Sequence, residues 1–216
     1  MASDYVEARS AEDAERIKQE VAEIRATALD SEPYQRPFAA PYVTTPGEGK
    51  YATSNFYAAT LGDLVKLVVL VVETESPIHR FDVLTRVAGM WGMRLGSRIQ
   101  GRILQACESA EGGGVVRLSG DFYWGVSSGG KCAVRSRAGT RIPGDRIAAE
   151  EYHKAILAVV AKGHAFSRIQ LVNEVRSVLG FSRTGAILDA AINSAIDAFL
   201  CVGKLGEAST GLCLRK

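Results

Sequence analysis

Two stretches of this chain can be laid over one another, and that repeat restricts the fold more than any composition figure. The run IHRFDVLTRVAGMWGMRLGSRI, starting at Ile78, sits over FSRIQLVNEVRSVLGFSRTGAIL, starting at Phe166, with one residue inserted in the turn. Arg80 meets Arg168, Leu84 meets Val172, Val87 meets Val175 and Gly92 meets Gly180; past the insertion Gly96 meets Gly185. An apolar segment precedes each run, LVKLVVLVVETE in one case and EEYHKAILAVVAKG in the other. Such internal similarity marks one supersecondary unit used twice.

The first copy is the clearer. Residues 61–75 are rich in valine, which favours a strand. The spacing of Leu61, Leu64, Val65, Val68 and Val72 and the length of the segment argue instead for a helix buried on most sides. Ser76-Pro77 interrupts it. A second helix is expected over 79–91, with Phe81, Leu84, Val87, Ala88 and Trp91 inward and Gly92 as a left-handed cap. After the turn Met93-Arg94-Leu95-Gly96, Ser97 should cap a third helix that turns Ile99, Ile103, Leu104 and Cys107 inward and stops at Gly112-Gly113-Gly114. Val115–Leu118, the turn Ser119-Gly120-Asp121 and Phe122-Tyr123-Trp124 then read as a hairpin. Helix, helix, turn, helix, hairpin is the order of a winged helix-turn-helix. The expected fold class is mainly α with small β-hairpins (α+β): two tandem winged modules behind an N-terminal helix and extended arm. The second copy ends with a short wing between Val202 and Lys216.

The domain boundaries follow. Residues 1–56 hold a helix over 10–29, with Ile17, Val21, Ile24 and Ala28 on one face, and an arm broken by Pro33, Pro37, Pro41 and Pro46. That helix docks either on its own domain or on a partner. The arm should lay Tyr34, Phe38, Tyr42 and Tyr51 on the first module. The first module spans 57–126, a basic linker 127–146, and the second module 147–216.

Several function classes are excluded or weakened. Apolar runs such as Leu67–Val72 are too short to span a bilayer, and the charged amino end does not read as a secretory signal. Cys107, Cys132, Cys201 and Cys213 form no CxxC pair, and His79, His153 and His164 are widely spaced, so no metal site is expected. Reduced thiols in the cytoplasm are the simplest reading. Gly125–Lys131 imitates the start of a phosphate-binding loop, but Cys132 stands where Ser or Thr must bind magnesium, and no helix follows. No cofactor and no catalytic residue is expected; His79 beside Asp82 is more simply a helix start.

Charge distribution carries more than the net +2. Residues 1–60 hold six basic and ten acidic side chains, 61–124 seven of each, 125–146 five and one, and 147–216 eight and six. The positive surplus lies in the linker. On the third helix Arg94, Arg98 and Arg102 recur every fourth residue with Gln105 close to the stripe, and Ser97 opens it. In a helix-turn-helix this helix enters the major groove, where arginine grips guanine edges and phosphates. The alternative is a solvated basic face. Arg117 on the hairpin and Lys131, Arg135 and Arg137 in the linker would add backbone contacts, the last two sharing one side of a strand. The linker is otherwise an inter-domain loop. Phe122, Tyr123 and Trp124 either stack on a base or pack under the wing. The matching helix of the second copy carries Asp189 and Asp197 and repels phosphate, which suits a structural or protein-binding role.

The blocks VVETESPIHRFDVLTRVAGMWGMRLGSRI, GDFYW, AVRSR, AILAVVAKG and LVNEVRSVLGFSRTGAILDAAI, in that order, resemble an uncharacterised domain family found at the C-terminus of large bacterial proteins similar to superfamily I DNA helicases, often with a very-short-patch-repair-like nuclease domain. The resemblance covers residues 55–205 approximately and supplies no catalytic residue. It implies a DNA-metabolism or defence setting, with a helicase or nuclease as partner or as covalently attached domain. The expectation is therefore a non-catalytic double-stranded DNA-binding accessory module. The alternative is a protein-docking module built on the same fold.

Overall fold

The computed structural model describes residues 36–161, 163–208 and 211–215. The helix expected over 10–29, and Tyr34, lie outside them. Among the described residues the order is β1 (Ala40–Pro41), α1 (Leu61–Glu75), β2 (Ile78–His79), α2 (Arg80–Gly89), α3 (Ser97–Gly112), β3 (Val116–Ser119), β4 (Phe122–Gly125), β5 (Arg135–Ser136), α4 (Ala149–Val160), α5 (Arg168–Val178), α6 (Ala186–Cys201), β6 (Leu205–Ala208) and β7 (Gly211–Leu214). The fold is mixed α+β, with small open sheets.

Helix α1 forms despite its valines because its amino end is locked and its stripe is buried. The Thr60 hydroxyl accepts from the Asp63 N–H while the Asp63 carboxylate accepts from Thr60, a reciprocal cap. Leu64, Val68, Val71 and Val72 are fully buried, each worth roughly 1.5–3 kcal/mol against exposure. Burial is less complete than expected: Leu61 and Leu70 reach solvent. Helix α2 is shorter than predicted. His79 caps it, its Nδ1 accepting from the Phe81 N–H at 3.2 Å, and the chain leaves the helix before Met90 to turn through Gly92 at φ +65°. Ser97 is not the cap of α3. Gly96 takes that place with extended backbone, its carbonyl accepting from Gln100 N–H at 2.8 Å, and Ser97 is the first helical residue.

The hairpin β3–β4 gains a third strand that the sequence did not announce: β2 pairs with β4, Ile78 opposite Tyr123, giving the order β2-β4-β3. The second copy repeats this in reduced form. Strands β6 and β7 make the hairpin, and Phe166 forms a single antiparallel bridge to Leu212. Phe166 is the residue that the repeat sets over Ile78.

Buried positions coincide between the copies. Leu64, Val68, Val71 and Val72 correspond to Tyr152, Ile156, Val159 and Val160; Val83, Leu84 and Val87 to Leu171, Val172 and Val175; Ile99, Ile103, Ala106 and Cys107 to Leu188, Ile192, Ala195 and Ile196. Every one of these is buried. Each copy thus closes its own three-helix core on the same skeleton.

The arm from residue 36 is extended and partly docked. Strand β1 pairs in parallel with β5, Tyr51 packs on Trp91 at 4.9 Å, and Phe56 meets Trp91 edge-on at 5.2 Å. Phe38, expected to pack, is 89% exposed. Tyr123 packs into the core of the first copy, and Trp124, on the opposite face of β4, packs against Cys132 and Ala148, so packing and not base stacking occupies them. Among the described residues no helix is long and apolar enough to cross a membrane.

Candidate nucleic-acid interface

Helix α3 begins at Ser97 behind the capping residue Gly96, which offers no side-chain cap. The first-turn N–H groups of a helix have no intrahelical acceptor, and the aligned peptide dipoles leave partial positive charge there. Arg94, just ahead of that end, and Arg98, in its first turn, are both exposed. Neither has a hydrogen bond or ion pair among the described residues. Helix α3 carries no acid in its first turn. Gln105 is exposed further along the helix.

Arg102 departs from the stripe. Its Nη2 donates to the Ala59 carbonyl at 2.6 Å and its Nη1 to that of Phe56 at 3.3 Å, with the guanidinium over the Phe56 and Tyr57 rings at 5.5 and 6.0 Å. It fastens the segment before α1 to α3 and is not a free contact group. Arg117 is exposed on β3, where register sets it opposite Trp124 and its guanidinium lies 5.4 Å from that ring. Lys131 is exposed in the loop before β5, with no partner among the described residues.

The linker strip is the main correction. Arg135 and Arg137 do share one side of the strand, but that side faces inward. Both guanidinium groups lie 4.8 Å from the Tyr42 ring. Arg137 is 3% exposed and grips Glu151 with both Nη atoms, Nη2 to Oε2 at 2.8 Å. Arg135 donates from Nη2 to Glu151 at 2.9 Å and to the Pro77 carbonyl at 3.0 Å, and from Nη1 to the Glu75 carbonyl at 2.8 Å. Glu75 is also fully buried. It accepts from the Tyr42 hydroxyl at 2.9 Å, from both donors of Thr45 at 2.8 and 2.7 Å, and from Arg86 Nε at 3.1 Å. These groups hold the arm, the first copy and the second copy together. Two buried carboxylates demand such partners, because an unpaired buried charge is very costly.

Burial alone would push Glu151 upward in pKa; Arg137 and Arg135 outweigh it and hold the carboxyl below the ordinary range. Tyr42 is pushed up, first by burial and then by the Glu75 charge. His79 is lowered, mainly by burial, which favours the neutral ring whose Nδ1 accepts from the Phe81 N–H. Cys107 and Cys132 are pushed up to about 11, mainly by burial, so neither is a ready thiolate. Among the described residues no group of three or more His, Cys, Asp or Glu could hold a metal ion.

The corresponding surface of the second copy differs in kind. On α6, Ile187 and Ala190 stand exposed where α3 has Arg98 and Gly101. Asp189, Asn193 and Asp197 run along the helix. Arg168 donates to Asn193 at 3.1 Å and to Asp197 at 2.5 Å. Ile169, at the start of α5, is 75% exposed.

Sequence reasoning missed Glu75 and Glu151, and gave Tyr42 only as an aromatic of the arm that packs on the first module. A signal was present for the acids: Glu75 continues the apolar stripe of Leu64, Val68 and Val71, and Glu151 stands in line with Ala155 and Val159. A carboxylate on an apolar stripe announces a buried cation.

Residues 54–101 match the model of a family described as a protein of unknown function (DUF3320). That span runs from just before α1 through β2 and α2 into the first turns of α3, and includes Arg94, Ser97 and Arg98. No curated protein and no solved structure matches the chain.

Proposed function

We propose that the chain is a non-catalytic double-stranded DNA-binding module with two tandem winged helix-turn-helix copies, working as an accessory to a helicase- or nuclease-type protein of DNA metabolism or defence. The observation that carries this reading is the amino end of α3. Arg94 and Arg98 stand exposed and unpaired beside an uncapped helix terminus with no acid in its first turn. Unneutralised guanidinium groups next to free N–H donors suit phosphate oxygens, and in a helix-turn-helix that end of the second helix faces the groove. Helix order, the three-stranded β2-β4-β3 sheet and the matching buried positions support the winged reading. Arg117 and Lys131, both exposed, are the remaining backbone contacts; Arg102, Arg135 and Arg137 serve the fold. The helicase or nuclease setting rests on the resemblance alone.

A second reading has its own observation. On the second copy Ile169, Ile187 and Ala190 are exposed apolar side chains, with the acids Asp189 and Asp197 also on α6, a mixture suited to docking a protein such as a motor or nuclease.

Fluorescence anisotropy of a labelled random duplex at two salt concentrations separates them. Binding should weaken steeply with salt, and Arg94→Ala with Arg98→Ala should weaken it about tenfold, the equivalent of roughly 1.4 kcal/mol. Equal binding by the double variant, or none at low salt, overturns the DNA reading.

A further inference from the structure

Against the buried polar network lies an open cleft of 510 Å³, lined among others by Thr44 on the arm, Thr85 and Arg86 on α2, the turn at Gly139, Arg141, and Arg146. Its size is that of a small-ligand site, larger than one anion requires. Its chemistry is cationic. Arg86 gives its Nε to Glu75, and both of its Nη atoms lack an acceptor among the described residues. Arg146 gives Nη1 to Asp82 at 2.9 Å and stacks on Phe81 at 4.4 Å, with Nη2 left over. Arg141 is exposed and has no partner among the described residues. Thr85 and Thr140 use their hydroxyl protons on the Asp82 and Arg137 carbonyls, so Thr44 holds the free hydroxyl.

Two features distinguish this from a scatter of surface arginines. Arg86 and Arg146 are each held in place by a buried carboxylate behind them, so little side-chain freedom remains to be lost when a ligand arrives. The charges lining the cleft also do not cancel: Arg86, Arg141 and Arg146 stand against Asp82. The surplus suits a dianion, and forked guanidinium donors lining one cleft from a helix, a loop and a turn suit tetrahedral oxygens.

We propose that this cleft binds a phosphomonoester, its phosphate held by Arg86, Arg141 and Arg146 and its esterified group filling the remaining space. The site is separate from the α3 surface and does not depend on it. Two sources share this chemistry, a free nucleotide and the 5′-phosphate at the end of a DNA strand.

Calorimetric titration of the whole chain with inorganic phosphate, with adenosine monophosphate, and with a short single-stranded oligonucleotide with and without a 5′-phosphate tests it. Arg141→Ala removes an exposed, unpartnered side chain and leaves the buried pairs intact; Arg94→Ala with Arg98→Ala is the control. Saturable binding of adenosine monophosphate is expected, weakened about tenfold by Arg141→Ala and unchanged in the control. If the 5′-phosphorylated strand binds about tenfold or more tightly than both adenosine monophosphate and the unphosphorylated strand, the source is a DNA end; otherwise it is a free nucleotide. No saturable binding of any phosphate probe, or binding indifferent to Arg141→Ala, overturns the proposal. Failure of the α3 reading shows instead in the control variant on duplex DNA.

Discussion

Helices α3 and α6 occupy the same place in the two copies and bury the same positions, yet they show solvent different chemistry. Ile99 and Ile103 on one match Leu188 and Ile192 on the other, all buried. Outside, Arg98 on α3 is replaced by Ile187, and Gln100 by Asp189. The buried stripe makes the fold and must be kept in both; the exposed stripe is free to diverge. The shared skeleton therefore says little about whether the two copies bind the same thing; their exposed surfaces differ in charge.

The first helices offer the sharpest test. Asp63 on α1 and Glu151 on α4 fall at corresponding positions. Asp63 is exposed and held low in pKa by its hydrogen bonds from Thr60; Glu151 is buried between Arg135 and Arg137. Glu151→Gln leaves two guanidinium groups inside without a counter-charge and should cost about 3–5 kcal/mol in urea unfolding. Asp63→Asn should shift the midpoint far less. The folded pKa of Glu151 lies below its ordinary 4.5. Its contribution is then complete above that value and is lost as pH falls through the depressed folded one. The wild-type midpoint should drop below pH 4.5 more steeply than that of Glu151→Gln. Equal slopes, or a cost under about 1 kcal/mol, would mean that the network does not join the copies as described.

The turn glycines come next. Gly92 and Gly180 correspond, and both are left-handed, at φ +65° and +82°. A Cβ on Gly92 would find its nearest atom, on Ala52, 3.9 Å away; on Gly180 it would fall 2.2 Å from Ser136 Oγ and 2.6 Å from the Ala138 nitrogen. Gly92→Ala should cost about 1–2 kcal/mol, the left-handed strain alone. Gly180→Ala must also displace linker backbone and should cost about 3 kcal/mol. Equal costs by thermal melting would show that the linker yields.

How much of this was legible in the sequence divides along the same line. Periodicity and the repeat gave the six described helices and both hairpins, because local spacing and turn chemistry decide them. Strand β2 escaped because two residues, Ile78 and His79, carry no pattern of their own; they become a strand only when β4 lies beside them. The arginines show the same limit. Alternation correctly set Arg135 and Arg137 on one side, but which side faces inward depends on Glu151, which is remote in sequence. Arg102 looked like part of a stripe until the Phe56 and Ala59 carbonyls came within reach. Charge pattern identifies cations; it does not say whether an internal acceptor waits for them.

A smaller effect concerns DNA. Arg98→Ile, which copies Ile187 onto α3, should weaken duplex binding about threefold to tenfold. The reverse change, Ile187→Arg, should add less than about twofold, because Asp189 and Asp197 remain on α6. A large gain from Ile187→Arg would break the comparison by showing that the second copy lacks only a cation.

The smallest effect tests whether surface divergence can proceed without disturbing the skeleton. Arg80 and Arg168 correspond at the starts of α2 and α5. Arg80 reaches Asp121 at the hairpin turn, 3.6 Å away, whereas Arg168 reaches Asp197 on α6 at 2.5 Å. All four side chains are more than a third exposed, so screening should reduce each pair to about 0.2–1 kcal/mol despite the shorter distance in the second. Double-mutant cycles to alanine should return coupling in that range for both, falling as salt rises. The Arg168 pair should be the larger of the two, since Asn193 also accepts from that guanidinium. A coupling for Arg168 well above about 1 kcal/mol would make α5–α6 pairing part of what holds the second copy together, and its acidic stripe would then be structural before it is a surface.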